Sequence, residues 1–197
     1  MISLCVRCDD GVWFGVACDE RKVFATSFGF SKASVLKSLL EGIPFDSPFQ
    51  YSEEVSPFAG HVLELVKNVY YGRDVVVDVP LAMEQLSTYA QNVIRSVLLI
   101  PVGYVSFYGY VAKAVGGSPR AVGRVMAMNP FAPLVPCHRI VCSDFTLGGY
   151  GGGLNVKLQL LKRESRGYIS KREIYLNGKR LLLFPVENVL NRVREEN

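Results

Sequence analysis

A chain of 197 residues with 49% apolar and 20% charged residues has the composition of a folded globular protein, which excludes disordered and fibrous classes. No run of 18 or more apolar residues occurs, and the N-terminal Met-Ile-Ser-Leu-Cys-Val-Arg-Cys lacks the basic-then-apolar order of a signal peptide; no membrane partner is expected, and a cytoplasmic (nucleoid-associated or, in a eukaryote, nuclear) location is. The net charge of +4 is unevenly spread: residues 1–84 carry 7 Lys/Arg against 12 Asp/Glu, residues 85–166 carry 9 against 2, and residues 167–197 carry 6 against 4. A basic middle beside an acidic N-terminal part implies a face that binds a polyanion on one domain only. Five scattered cysteines, an odd number, are not the framework of a disulfide-rich secreted domain.

In chain order, Ile2–Cys8, Val12–Cys18 and Val23–Phe28 read as three strands joined by turns at Asp9-Asp10-Gly11 and Asp19–Lys22. A helix over 31–41 follows, with Ser31 as N-cap and Gly42 after its end, then a loop over 42–57, a helix over 57–71 and a strand over Val75–Val79. The second part reads as mostly helical. A helix over Ser87–Leu99 is stopped by Ile100-Pro101-Val102-Gly103; Ser106 caps a helix running to Val115; Gly116-Gly117 turns the chain; Ser118-Pro119 opens a helix to about Met128. Two short helices about a Gly-Gly turn make a helix-turn-helix candidate. Leu154–Glu164 reads as a helix, Ile174–Leu183 as a hairpin about Asn177-Gly178, and Pro185 as the start of a final helix to about Arg194. The expected fold class is α/β (α+β): a small strand-helix domain over 1–84, a mostly helical domain with the helix-turn-helix candidate over 85–166, and a C-terminal extension over 167–197.

The chemistry concentrates at Pro136-Cys137-His138-Arg139. A cysteine attacks as thiolate and needs a base or positive neighbours; histidine supplies the base, and a carboxylate can orient the imidazole. Glu164 is one of two acids in the basic segment and lies at the end of a helix that can return to His138, so Cys137, His138 and Glu164 form a candidate nucleophile, base and orienter. A Cys-His pair by itself is more often structural.

With its flanks, the segment resembles the O6-alkylguanine-DNA alkyltransferase family. Pro136-Cys137-His138-Arg139 matches that family's active-site signature; Ile100-Pro101-x-Gly103-x-Val105-x-x-Tyr108 looks like the approach to its helix-turn-helix, Arg120-Ala121-Val122-Gly123 through Asn129-Pro130 like its recognition helix and exit, and Gly149–Leu154 with Lys157 and Leu160-Leu161 like its active-site loop and last helix. The similarity spans roughly residues 87–165. It implies direct, single-turnover transfer of the alkyl group from O6-methylguanine, with O4-methylthymine as a further substrate candidate, in double-stranded DNA to Cys137. His138 would act as base through a bound water, oriented by Glu164, and Tyr108 as proton donor to the departing guanine. Arg120 would fill the space of the flipped base; Ala121, Gly123, Arg124, Asn129 and Arg139 complete the DNA-binding set, with Ala121 and Gly123 permitting close approach to the minor groove, Asn129 bracing the turn and Arg139 supporting the site. Ile140, Tyr150, Gly151 and Gly152 would wall the pocket. The resemblance implies no cofactor, and a monomer.

The sequence departs from that pattern in places. Tyr89-Ala90 stands where a Phe-Gln pair is common, Gly151 where a serine is common, Ala132 where a proline is common, and the chain from about Arg166 runs past the family's usual end. Cys5, Cys8, Cys18 and His61 are candidate zinc ligands, but Cys5 and Cys8 would point to opposite faces of a strand, and small buried hydrophobes are the expectation; Cys142 is expected in the core. Two other functions fit parts of the pattern: a non-catalytic protein that marks alkylated DNA, which would not need Cys137, and a Cys-His hydrolase, which leaves the basic helix pair unexplained.

Overall fold

The computed structural model describes residues 1–176 and 178–195, and divides into two compact units. The first comprises residues 1–70, 74–85 and 129–134; the second comprises 71–73, 86–128 and the chain from 135 onward. The segment 129–134, expected in the catalytic part, thus belongs to the first unit, and the C-terminal extension belongs to the second unit rather than standing apart. No helix among the described residues is long and apolar enough to cross a membrane.

In the first unit, β1 (Ile2–Asp9), β2 (Val12–Cys18), β3 (Val23–Gly29) and β4 (Phe49–Tyr51) form a sheet in the order β3-β2-β1-β4. The first three pair antiparallel, and β4 adds parallel to β1. α1 (Lys32–Gly42) is capped by Ser31, whose hydroxyl accepts from the Ser34 amide; Gly42, expected beyond the helix, is its last residue. α1 lies so close to β2 that a Cβ on Gly15 would sit 2.4 Å from Val35 Cγ1, so glycine at 15 sets the helix-sheet distance. α2 (Pro57–Tyr70) packs against β2 and buries Val62, Leu63, Val66 and Val69. The expected strand over Val75–Val79 is not formed: its β-branched run finds no partner, and an isolated bridge of Val23 to Leu81 takes its place. Conversely β4 sits inside a segment expected to be loop, held because β1 offers it an edge. Thr26 ties the 129–134 segment to β3: its amide donates to Pro130 O (2.8 Å) and its hydroxyl to Ala132 O (2.9 Å).

The second unit holds α3 (Thr88–Leu98), β5 (Tyr104–Phe107), α4 (Tyr108–Val115), α5 (Pro119–Ala127), β6 (Ile140–Val141), α6 (Leu154–Glu164), β7 (Arg172–Leu176), β8 (Lys179–Pro185) and α7 (Val186–Glu195). Its strands form a second sheet in the order β6-β5-β8-β7, which an expectation of a mostly helical domain misses. β5 replaces the expected start of a helix. Ser106 caps nothing; it is buried in the strand and donates to Leu182 O at 2.8 Å, while α4 begins at Tyr108. Likewise Pro185, expected to open the last helix, ends β8 opposite Tyr104. α5 is as expected, with the Ser118 hydroxyl accepting from the Ala121 amide and Pro119 in the first turn. The core of this sheet joins Val105, Phe107, Val141, Leu161, Val186 and Val189. Phe184 of β8 stacks on Phe107 (ring centroids 4.5 Å, 16°) and meets Phe145 edge-on at 5.3 Å. The predicted turn residue Asn177 lies outside the described residues; the strands on either side pair as a hairpin.

Candidate active site

Cys137 opens a single 3-10 turn, Cys137–Arg139, between a loop and β6. β6 pairs parallel with β5, Ser106 opposite Ile140, and this fixes the turn beside the start of α4. The three consecutive side chains diverge. Cys137 is 7% exposed and lies on the wall of a cavity of about 590 Å³, whereas His138 and Arg139 turn inward toward α6.

Glu164, the last residue of α6, meets them in the interior. His138 Nε2 lies 2.8 Å from Glu164 Oε1, and Arg139 donates from Nε to Oε2 (2.9 Å) and from Nη2 to Oε1 (2.8 Å); Arg139 Nη1 also donates to Ile100 O (2.5 Å). His138 and Glu164 are fully buried. Burial works to raise the Glu164 carboxyl, but His138 and Arg139 outweigh it and hold the group at about 2, so it is ionised. Burial lowers the His138 imidazole below its ordinary 6.5 against the pull of Glu164, and Arg139 and Lys157 add to the lowering, so the ring is neutral. A carboxylate can only accept, which puts the single ring proton on Nε2. Nδ1 is then the basic nitrogen, and it is buried with no hydrogen-bond partner among the described residues.

The cavity is framed by α5 (Pro119, Arg120, Gly123, Met126, Ala127), by Tyr108 at the head of α4, and by the loop Gly148–Gly151. Tyr108 is raised to about 12 by burial and by the sulfurs of Cys142 and Cys137, so it keeps its proton and can donate it. Tyr150 hydrogen-bonds Cys137, and burial together with that sulfur pushes its phenol well above 10. Gly148 has φ +66°, and a Cβ there would stand 3.1 Å from Cys142 Sγ and 3.2 Å from Tyr108 Cε2; only glycine lets the loop lie on the tyrosine.

The structure therefore brings together Cys137, His138, Glu164, Tyr108, Arg120, Gly123, Tyr150 and Gly151. Ala121 and Arg124 lie on the same helix as Arg120, Arg124 one turn further and exposed. Arg139, expected among the DNA contacts, is only 7% exposed with its donors on Glu164 and Ile100, so it is an interior strut and not a groove-facing residue. Asn129 lies in the first unit, where its side chain accepts from the Phe131 amide at 3.0 Å. Gly152 is exposed beyond the cavity wall. Cys142, expected in the core, is half-buried and lines the cavity.

One site residue has no role in the sequence reading. Lys157 is fully buried on α6, and its ammonium donates to Ile140 O (2.6 Å), Leu147 O (2.5 Å) and Gly149 O (3.4 Å), tying the nucleophile's strand to the pocket loop. Burial lowers it from 10.5 to about 8. A lysine inside an amphipathic helix ordinarily faces water, so nothing local marks it. In the first unit, Cys5 and Cys18 are buried on adjoining strands, Cys8 is exposed, and His61 lies 2.9 Å from Asp78; among the described residues no group of three or more His, Cys, Asp or Glu could hold a metal ion.

Residues 88–166 match the family described as 6-O-methylguanine DNA methyltransferase, DNA binding domain. A methylated-DNA–protein-cysteine methyltransferase of Pyrobaculum aerophilum is 55% identical over 65 residues, 33% of this chain and 44% of that protein, so the match spans under half of that relative. The protein of the same name from Methanothermobacter thermautotrophicus is 35% identical over 129 residues, 64% of this chain and 70% of that protein. Among solved structures, the O6-methylguanine-DNA methyltransferase of Pyrococcus kodakaraensis superposes with a TM-score of 0.62 at 29% identity, covering 83% of this chain and 99% of that one.

Proposed function

Because the chain belongs to the methylated-DNA–protein-cysteine methyltransferase family, we propose that it repairs DNA by moving the alkyl group of an O6-alkylated guanine onto Cys137, once per molecule. The observation that carries the reading is Cys137 on the wall of a base-sized cavity, backed by a neutral, buried His138 on an ionised Glu164 and facing a protonated Tyr108.

The target atom lies inside the duplex, so the nucleotide must be turned out, at a few kcal/mol. Arg120, exposed in the first turn of α5 at the cavity rim, would take the place of the lost base, and Ala121 and Gly123 let the helix approach the groove. His138 Nδ1, which has no hydrogen-bond partner among the described residues, takes the thiol proton by way of a bridging water. The sulfur pair then forms the S–C bond while the bond from the alkyl carbon to O6 breaks, and the electrons pass to the guanine. Tyr108 protonates that guanine, and the proton given up by the thiol makes good the one the tyrosine loses. No co-reactant enters, and the thioether product is not readily hydrolysed, so the protein is spent. Tyr150 is placed on the cavity wall to hold the purine edge, whereas Ile140, expected to wall the pocket, is fully buried off the cavity with its carbonyl taken by Lys157. The chemistry needs one copy of the chain.

The test is intact mass spectrometry after mixing with a duplex carrying one O6-methylguanine. The expected result is a single methyl added to the peptide containing Cys137, at one equivalent, and none in Cys137→Ala. An unchanged mass with tight lesion binding would identify a damage marker instead, and turnover of acyl substrates without DNA a hydrolase.

A further inference from the structure

Residues 171–180 of the C-terminal extension carry four cations, Lys171, Arg172, Lys179 and Arg180, against one acid, Glu173. All four are exposed, as is Tyr175 at 65%. β7 is the outer strand of its sheet. The register says where this hairpin points. β8 runs antiparallel to β5 with Pro185 opposite Tyr104 and Phe184 opposite Val105, and Leu182 O accepts from Ser106. Residues before Leu182 therefore continue past the end of β5 and alongside α4, against which β8 packs. The register thus carries Lys179 and Arg180 beyond Leu182 on the side where β5 passes into α4, whose first residue, Tyr108, lines the cavity, while Arg172 sits back over Tyr104 at the start of β5.

The side chains are braced for this display. Arg180 is held by Glu173 at 3.1 Å, and Arg172 lies over the rings of Tyr104 (4.8 Å) and Tyr168 (5.6 Å), which stack on each other. Exposed cations with an exposed aromatic along one hairpin suit the charge of a phosphodiester backbone.

We propose that the β7–β8 hairpin is a second DNA-contact surface, binding backbone phosphates of the same duplex whose base enters the cavity. The proposal rests on DNA being the partner of the site. The competing explanation is that the charges guard an outer strand against pairing with other chains.

The experiment compares the unsubstituted protein with Lys171→Gln/Lys179→Gln/Arg180→Gln, measuring affinity for an undamaged duplex across salt concentrations, with oligomeric state and thermal midpoint followed in parallel. Each lost phosphate contact lowers the slope of log affinity against log salt by about 0.9. The expected result is a slope smaller by about 2 to 3 and affinity at low salt reduced at least roughly tenfold, with the variant's oligomeric state and midpoint unchanged. An unchanged slope overturns the proposal, and so does a loss of affinity that accompanies self-association or unfolding. If the variant proves too poorly folded to titrate, Lys179→Gln alone decides: its slope either falls by about one or the proposal fails. Absence of alkyl transfer by the unsubstituted protein, with the slope still dependent on the hairpin, would sink the repair reading and leave this surface standing.

Discussion

Replacing Glu164 by Gln tests whether the buried carboxylate does chemistry or only holds the interior together. The change keeps volume and removes one charge from a group that accepts from His138 Nε2 and from Arg139 Nε and Nη2 at 2.8–2.9 Å. Arg139 becomes a buried cation with neutral acceptors only, Ile100 O and the amide oxygen, and breaking such an ion pair is expected to cost about 3–5 kcal/mol. For a chain of this size, that lowers the thermal midpoint by roughly 6–20 °C. The kinetic effect has a separate origin. A glutamine can turn its amide N–H toward Nε2, which shifts the imidazole proton to Nδ1, the nitrogen that has to accept from the thiol. Loss of a positioned base is expected to slow transfer about 10²–10⁴-fold. The assay is single-turnover transfer from a methylated duplex, read by mass, at a temperature where far-ultraviolet circular dichroism shows the variant folded. A folded variant transferring within threefold of the unsubstituted protein would refute the assignment of His138 as base, and an unshifted midpoint would refute the buried ion pair.

The same groups set the acid limit. His138 is held below 6.5 and stays neutral in the fold, while the unfolded chain binds a proton there, so stability is present above pH 6.5 and declines as pH falls below it. Glu164 is held at about 2 against an ordinary 4.5, so its contribution is present above 4.5 and is lost as pH falls toward 2. Urea midpoints should therefore decrease from pH 7 to 5 to 3; a flat profile would contradict both assignments. Gly148→Ala forces a side chain into a left-handed backbone and against Tyr108, and is expected to destabilise by about 1–2 kcal/mol and to slow transfer more than it weakens DNA binding; equal losses in both would count against the loop as a wall of the pocket. Phe184→Ala removes the ring stacked on Phe107, the residue before Tyr108, and should lower stability by about 2–4 kcal/mol by calorimetry; a change under about 0.5 kcal/mol would mean the extension is loosely attached.

The contrast between legible and hidden features follows the range of the interactions. α5 is readable because the Ser118 hydroxyl accepts from an amide in the next turn and Pro119 presets the backbone of the first. The nucleophile, base and strut are readable because they are contiguous, and Glu164 because it is a scarce acid in a basic segment. β5 is hidden because it exists through β6 on one side and β8 on the other, so Ser106 looks like a cap when its true partner is 76 residues away. Val75–Val79 shows the converse, a strand-like run with no edge to join. Lys157 stands out in the sequence only as part of a family-like segment; its role is hidden for the same reason, because its three acceptors are backbone oxygens, which carry no residue signature.

The placement of β8 inside the sheet has a consequence for biosynthesis. Chains emerge from the ribosome N-terminus first, so β5 and the head of α4 are made long before the strand that completes them; Leu182 follows Ser106 by 76 residues. Until then Phe107 and Val105 have no lid, and the segment bearing Cys137 and Tyr108 is an unfinished sheet. A nascent chain stalled before residue 179 would thus hold Val105 and Phe107 without the strand that covers them and Ser106 without its acceptor.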